Sequence, residues 1–210
     1  MKNCTRLGGS VHASKTPWPV RTVILIFVAT GIALSAQVNR AAASEQYVVR
    51  VGKMAIAVAN GNDSTAQKIA DLRGVLRQFS DMKSIALFSL GRYRRRLPSG
   101  KLLLYIDLME NFVAKFIIGY SKHFAGKRLK IIRSKKRGSS DMIVESQIIY
   151  GGNASPSPVK WRVITNGGKP KIFDVQVRGV WLTLRLRSQF KTVLKENNGN
   201  FDKLFAYLRR

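Results

Sequence analysis

Residues 141–150 read Asp-Met-Ile-Val-Glu-Ser-Gln-Ile-Ile-Tyr. Taken every second position, Met142, Val144, Ser146, Ile148 and Tyr150 fall on one side of an extended chain, with more polar residues between them. This is a strand with one face to bury, and its neighbours repeat the pattern. Leu129 to Arg133, Val159 to Thr165 and Lys171 to Val177 are strand-like, and Trp161 with Val163, and Phe173 with Val175 and Val177, share a face within their own strands. The segments between them are short and rich in turn residues: Arg137-Gly138-Ser139, Gly151-Gly152 and its proline-rich sequel, and Asn166-Gly167-Gly168. Short turns join antiparallel neighbours, so the sequence predicts an antiparallel sheet of about four strands with one apolar face.

On the N-terminal side the period changes to that of a helix. Gln46 to Ala59 carries Val48, Val49, Val51, Met54, Ile56 and Val58 and stops at Asn60-Gly61-Asn62-Asp63. Ser64 and Gln67 have the spacing of a capping box, and Ile69, Leu72, Leu76 and Phe79 then follow at three- and four-residue steps. A short helix from Met82 to Leu90 ends at Gly91. Lys101 to Tyr120 is the longest element, apolar nearly all the way round, which predicts burial on more than one side; Asp107, Glu110 and Lys115 argue against a membrane span. Asp107 and Glu110, one turn apart, read as its solvated edge. On the C-terminal side two helices follow, from about Val180 to Lys195, with an extended start allowed, and from Asn200 to Leu208. The fold class is α+β: N-terminal helices, the sheet, then two helices packed over the sheet.

The chain has 210 residues, of which 45% are hydrophobic, enough for a single domain with its own core. Its first part reads as a leader. Lys2, Arg6, Lys15 and Arg21 precede an apolar run from Val23 to Ala36, and Ala41-Ala42-Ala43 stands before Ser44. That order is the grammar of a cleaved signal peptide over residues 1–43, leaving a domain of residues 44–210; the run is short of the about 20 residues that span a bilayer. Cys4, the single cysteine, precedes the apolar run, so cleavage would leave a chain with neither disulfide nor thiolate ligand.

The formal net charge is +26, which favours anionic partners, nucleic acid or an anionic membrane surface. Export selects the membrane, and the aromatics that a nucleic-acid surface would display, Phe112, Trp161 and Phe173, sit at core-type positions instead. The cations cluster at Arg92, Arg94, Arg95 and Arg96, from Lys122 to Arg137, and at Arg185, Arg187, Lys191 and Lys195. Chemistry has little to work with: His12 lies in the leader, His123 stands among cations at a helix end, and no nucleophile motif, phosphate loop or zinc-ligand set is present. The expectation is a binder with no catalytic residue, no metal and no cofactor.

In that setting the chain resembles the MlaC, or toluene-tolerance auxiliary, proteins from about residue 46 to the end. Phe88-Ser-Leu-Gly-Arg-Tyr93 and the following Pro98 helix carry the resemblance, with Trp161-Arg-Val163, Asp174-Val-Gln-Val177, Gly179-Val180, Arg187-Ser-Gln-Phe190 and Asn198-Gly199 in order behind them. It departs at Pro170, Arg178 and Trp181. The resemblance implies a periplasmic carrier in the system that maintains membrane lipid asymmetry, passing a phospholipid between an outer-membrane lipoprotein complex and an inner-membrane ABC transporter complex. A hopanoid-associated branch is an alternative within the family, and a cationic envelope scaffold without a cavity is the alternative outside it. The resemblance also implies an apolar cavity between sheet and helices. Its lining is sought among Leu104, Leu108, Phe112 and Phe116 of the long helix and Val144, Ile148, Trp161, Val163, Phe173 and Val175 of the sheet, with Tyr93 at the mouth.

Overall fold

The computed structural model describes the backbone of residues 20–119, 128–150 and 155–210, and side chains from residue 39 onward. Lys2, Cys4, Arg6, His12 and Lys15 of the leader, Tyr120, Lys122, His123, Lys127 and the Gly151-Gly152 turn lie outside the described residues. Two compact units divide at Val38 and Asn39. In the first, the backbone is helical from Val20. Among the described residues no helix is long and apolar enough to cross a membrane.

Helix α1 spans Val20–Asn60, so the helix read from Gln46 starts well upstream. Within residues 39–60, Ser44, Val48, Val51 and Gly52 are buried at three-, four- and one-residue steps, one stripe of the helix. Helix α2, Thr65–Phe79, begins where the sequence puts it: Ser64 Oγ accepts from the Gln67 backbone N–H at 3.2 Å. The Gln67 side chain turns away from the cap and donates to Asp71 Oδ1 at 2.8 Å. Helix α3, Met82–Leu90, is capped by Asp81, whose carboxylate accepts from the Ser84 N–H, and a 3-10 turn, Gly91–Arg96, follows it. Helix α4 is Leu102–Gly119.

The sheet has five strands rather than about four, in the order β1-β2-β3-β4-β5, all antiparallel: β1 Arg128–Lys136, β2 Asp141–Ile149, β3 Ser157–Asn166, β4 Lys169–Val177 and β5 Val180–Trp181. The fifth is two residues long, too short for any period to reveal. Opposed residues fix an inner face: Val144 faces Trp161, Trp161 faces Val175, Met142 faces Val163, and Val163 faces Ile172. At β4 the register shifts, so Phe173 and Asp174 share the place opposite Arg162. Helices α5, Leu182–Glu196, and α6, Phe201–Arg209, close the chain.

Two apolar clusters result. The first is a helix-bundle core made by α3, α4, α5 and α6, with Tyr105, Met109, Leu186, Phe190, Leu194, Leu204 and Leu208 fully buried. The two C-terminal helices therefore pack chiefly on α3 and α4, and of the two it is α5 that packs on the sheet, at β4 and β5, which corrects the expectation that both cover it alike. The second cluster lies between the inner face of the sheet and α1, α2 and the C-terminal half of α4. Helix α4 is the wall between them: Tyr105, Leu108 and Met109 serve the bundle, whereas Ala114 and Ile118 serve the sheet side. Burial on two sides is why its sequence is apolar nearly all round.

Candidate functional site

The sheet-side cluster is the place where the inner face of the sheet meets helices α1, α2 and α4. Val48 and Val51 of α1, Leu72, Val75 and Phe79 of α2, Ala114 and Ile118 of α4, and Val144, Val163 and Ile172 of the sheet form its buried part. Around these ten lie eleven hydrophobic residues that are only partly buried, among them Met54, Val58, Ile69, Leu129, Ile131, Trp161 and Val175. In the bundle core the proportion is reversed, seventeen buried to eleven partly buried. Among the described residues, then, the sheet side is a core left half covered.

Its few polar groups are spoken for. Ser146, 2% exposed on an otherwise apolar strand face, donates to the Val159 carbonyl at 3.0 Å and accepts from Trp161 Nε1 at 2.9 Å, so the indole ring is held against the face with its N–H satisfied. Tyr47 Oη donates to the Phe79 carbonyl at 2.8 Å, and burial pushes its phenol up to about 12, with Arg50 opposing. No group here is arranged to act as acid, base or nucleophile, and among the described residues no cluster of histidine, cysteine and acidic side chains could hold a metal.

The frame of this cluster is pinned at its edges. The junction of α2 and α3 is tied to β4, where Asp81 N–H donates to the Ile172 carbonyl at 3.0 Å and Lys171 donates to the Gln78 carbonyl. Glu45 accepts from Ser134 Oγ at 2.5 Å, joining α1 to β1. The α2–α4 seam is closed by charge: Glu110 accepts from Arg77 Nε at 2.5 Å, Asp107 from Arg77 Nη2 at 3.0 Å, and Arg73 pairs with both acids. Glu110 is 5% exposed. The reading of Asp107 and Glu110 as a solvated edge is corrected for Glu110, because α2 brings two arginines one turn apart onto it.

The residues sought as lining divide between the clusters. Val144, Trp161, Val163 and Val175 belong to the sheet side. Leu104, Leu108, Phe112 and Phe173 belong to the bundle core, where Phe112 packs on Phe190 and Tyr207, and Phe173 on Phe88. Tyr93 is buried in that same bundle, Ile148 is buried on the inner face of β2, and Phe116 is half-buried with the Arg185 guanidinium over its ring. The sequence reading passed over the share of α1, α2 and the end of α4: Val48, Val51, Val75, Ala114 and Ile118. Val48 and Val51 were visible as a helical stripe, but nothing in the stripe says which surface it meets.

A groove of about 610 Å³ runs between α5 and α6, with Glu196, Lys203 and Arg210 on its walls, and such a lining does not suit acyl chains.

The sequence model of a protein family, described as MlaC protein, matches residues 51–210. The chain belongs to the MlaC protein family. A solved structure, the phospholipid-binding protein from Ralstonia solanacearum in complex with a phospholipid, shares the fold of this MlaC protein at a TM-score of 0.65 and 17% identity, over 78% of this chain and 93% of that one. No curated protein matches the chain.

Proposed function

We propose that this MlaC family member is a lipid carrier: it takes the acyl chains of a phospholipid into the chamber between the inner face of the sheet and helices α1, α2 and α4. The observation that carries the reading is the half-covered core, in which more hydrophobic residues are partly exposed than buried, beside a bundle core in which buried residues predominate. A diacyl lipid has on the order of 30 methylenes, each worth about 0.8 kcal/mol to keep from water, so it does not cross an aqueous space unaided. A protein that offers a second, unfinished apolar interior supplies the missing cover. The Ralstonia protein with a phospholipid bound supports the same use of the fold.

The leader read in the sequence and the family resemblance supply the setting. Cleavage after residue 43 would release the carrier into the periplasm, where it would exchange lipid between an outer-membrane lipoprotein complex and an inner-membrane ABC transporter complex. It has no catalytic step to perform. Extraction of the purified protein with organic solvent, followed by lipid mass spectrometry, tests the reading: a stoichiometric phospholipid is expected. Protein that is empty as isolated and takes no lipid from vesicles would overturn it, and a hopanoid in place of a phospholipid would redirect it to the hopanoid branch.

A further inference from the structure

All eleven acidic residues of the chain are among the described residues, and none pairs with the arginines at the end of α3. The 3-10 turn Gly91–Arg96 holds Arg92, Arg94, Arg95 and Arg96, all exposed, around the buried ring of Tyr93. With three residues per turn, side chains three apart are eclipsed, which stacks Arg96 beside Tyr93 and Arg95 beside Arg92. The Arg92 and Arg96 guanidinium carbons lie 5.2 and 5.8 Å from the Tyr93 ring centroid. From α5, Arg187 lies 5.2 Å from the Phe88 ring centroid.

Two glycines make room for this arrangement. A Cβ on Gly91 (φ 55°) would sit 2.7 Å from Arg187 Nε, and one on Gly199 (φ 79°) would sit 2.8 Å from Arg96 Nη2. The guanidiniums are thus seated on aromatic faces and glycine backbone, surfaces that hold a cation without offering it a carboxylate. Among the described residues, Arg94, Arg95, Arg96 and Arg187 donate no hydrogen bond, and Arg92 only a long one, 3.5 Å, to Tyr93 Oη. Pre-seated guanidiniums with free donor forks match phosphate oxygens two at a time. Exposed leucines stand on the helices on either side of them: Leu184, 52% exposed, lies three residues before Arg187 on α5, and Leu103, 80% exposed, is in the first turn of α4, seven residues after Arg96. A soluble anion has no use for those leucines, whereas the boundary of a bilayer takes both groups.

We propose that this arginine ridge is the surface by which the protein docks on a bilayer of anionic phospholipid, the guanidiniums on headgroup phosphates and the leucines at the acyl boundary. The proposal rests on the carrier reading only for the reason the protein visits a membrane. The full chain is to be sedimented with vesicles of phosphatidylglycerol and phosphatidylcholine in equal parts and with vesicles of phosphatidylcholine alone. Binding is expected on the first. Replacing Arg92, Arg94 and Arg95 together by glutamine is expected to weaken it about a hundredfold with no change in melting temperature, whereas the same charge removed from the sheet by Arg128→Gln, Lys130→Gln and Lys136→Gln costs less than about tenfold. Leu184→Ser is expected to weaken binding about tenfold.

Equal losses from both triple variants would reduce the effect to net charge and overturn the proposal. So would vesicle binding that the ridge variants leave intact, full competition by inorganic phosphate, or an acidic protein captured through the ridge by a chain that ignores vesicles. Lipid mass spectrometry on the same preparations separates the two ideas. A lipid-loaded chain whose ridge variants still bind vesicles refutes the docking surface alone, and an empty chain that binds through the ridge refutes the carrier alone.

Discussion

Glu110 shows how much of a residue's role depends on its opposite number. Buried on α4, it accepts from Arg77 and pairs with Arg73, and its bond to Arg77, with Asp107 nearby, holds that guanidinium above its ordinary value. Removing one member of a buried pair strands the other, at about 3–5 kcal/mol when both are fully enclosed. Here the Arg73 and Arg77 side chains are 25% and 56% exposed, so solvent relieves part of that. Glu110→Gln should therefore cost about 1–3 kcal/mol, read as a lower urea midpoint at an unchanged m-value. A midpoint at the parent value would mean that the pair does not hold the seam. Arg178 presents the opposite case. With Gly179 it forms the two-residue turn between β4 and β5, at φ 50° and 82°, a backbone that asparagine adopts readily and arginine does not. Arg178→Asn is expected to raise stability by about 0.5–1 kcal/mol in the same titration, and a loss would show that the arginine has a partner that offsets its strain.

At the scale of elements, the sheet carries a pH dependence with two opposed contributions. Glu145, on the outer face of β2, is ringed by Arg133 at 2.5 Å, Lys160 at 3.6 Å and Lys135 at 3.7 Å, and the bond to Arg133 holds its carboxyl below the usual 4.5. A depressed carboxyl lends stability above its unfolded value and loses it as pH falls through the folded one. Asp174 runs the other way. Burial raises it above the usual 3.8 even though it accepts from Thr183 and Val175, so its protonation relieves the folded state as pH falls. Melting temperature should drop on acidification below about pH 4.5, and Glu145→Gln, less stable at neutral pH, should close on the parent as pH falls. Parallel curves would deny Glu145 the role. The same elements show what the sequence discloses. Capping chemistry and period marked α2, α3 and four strands, because those signals are local. Strand β5 escaped because two residues have no period. The double burial of α4 was legible, but not that one side faces the more fully buried core, and so the residues sought from Leu104 to Phe112 fell in the bundle. Two of the pieces that carry the family resemblance, 88–93 and 187–190, are distant in the chain yet meet where Arg187 covers Gly91, and a third, 198–199, lies under Arg96 just beyond the first.

Over residues 39–210 the molecule joins two interiors of different completeness, and a carrier needs both. On the carrier reading proposed above, the bundle core holds the fold whether or not cargo is present, whereas the sheet side exchanges part of its apolar contact for acyl chains and gives it back. If lipid completes the second interior, it binds only the folded chain and stabilises it by mass action, by about 2.7 kcal/mol when free lipid exceeds its dissociation constant a hundredfold. For a domain of this size that corresponds to a melting temperature about 5–10 °C higher with lipid than without. The gain should also be uneven. On delipidation, amide hydrogen exchange is expected to quicken in α1, α2 and the inner strands β2 and β3, whose side chains line the half-covered core, while α5 and α6, anchored by Phe190, Leu194, Leu204 and Leu208, keep their protection. Uniform quickening across both interiors would mean that lipid supports the whole fold rather than one side of it. Loss confined to α5 and α6 would move the lipid site to the groove between those helices, against the polarity of its walls.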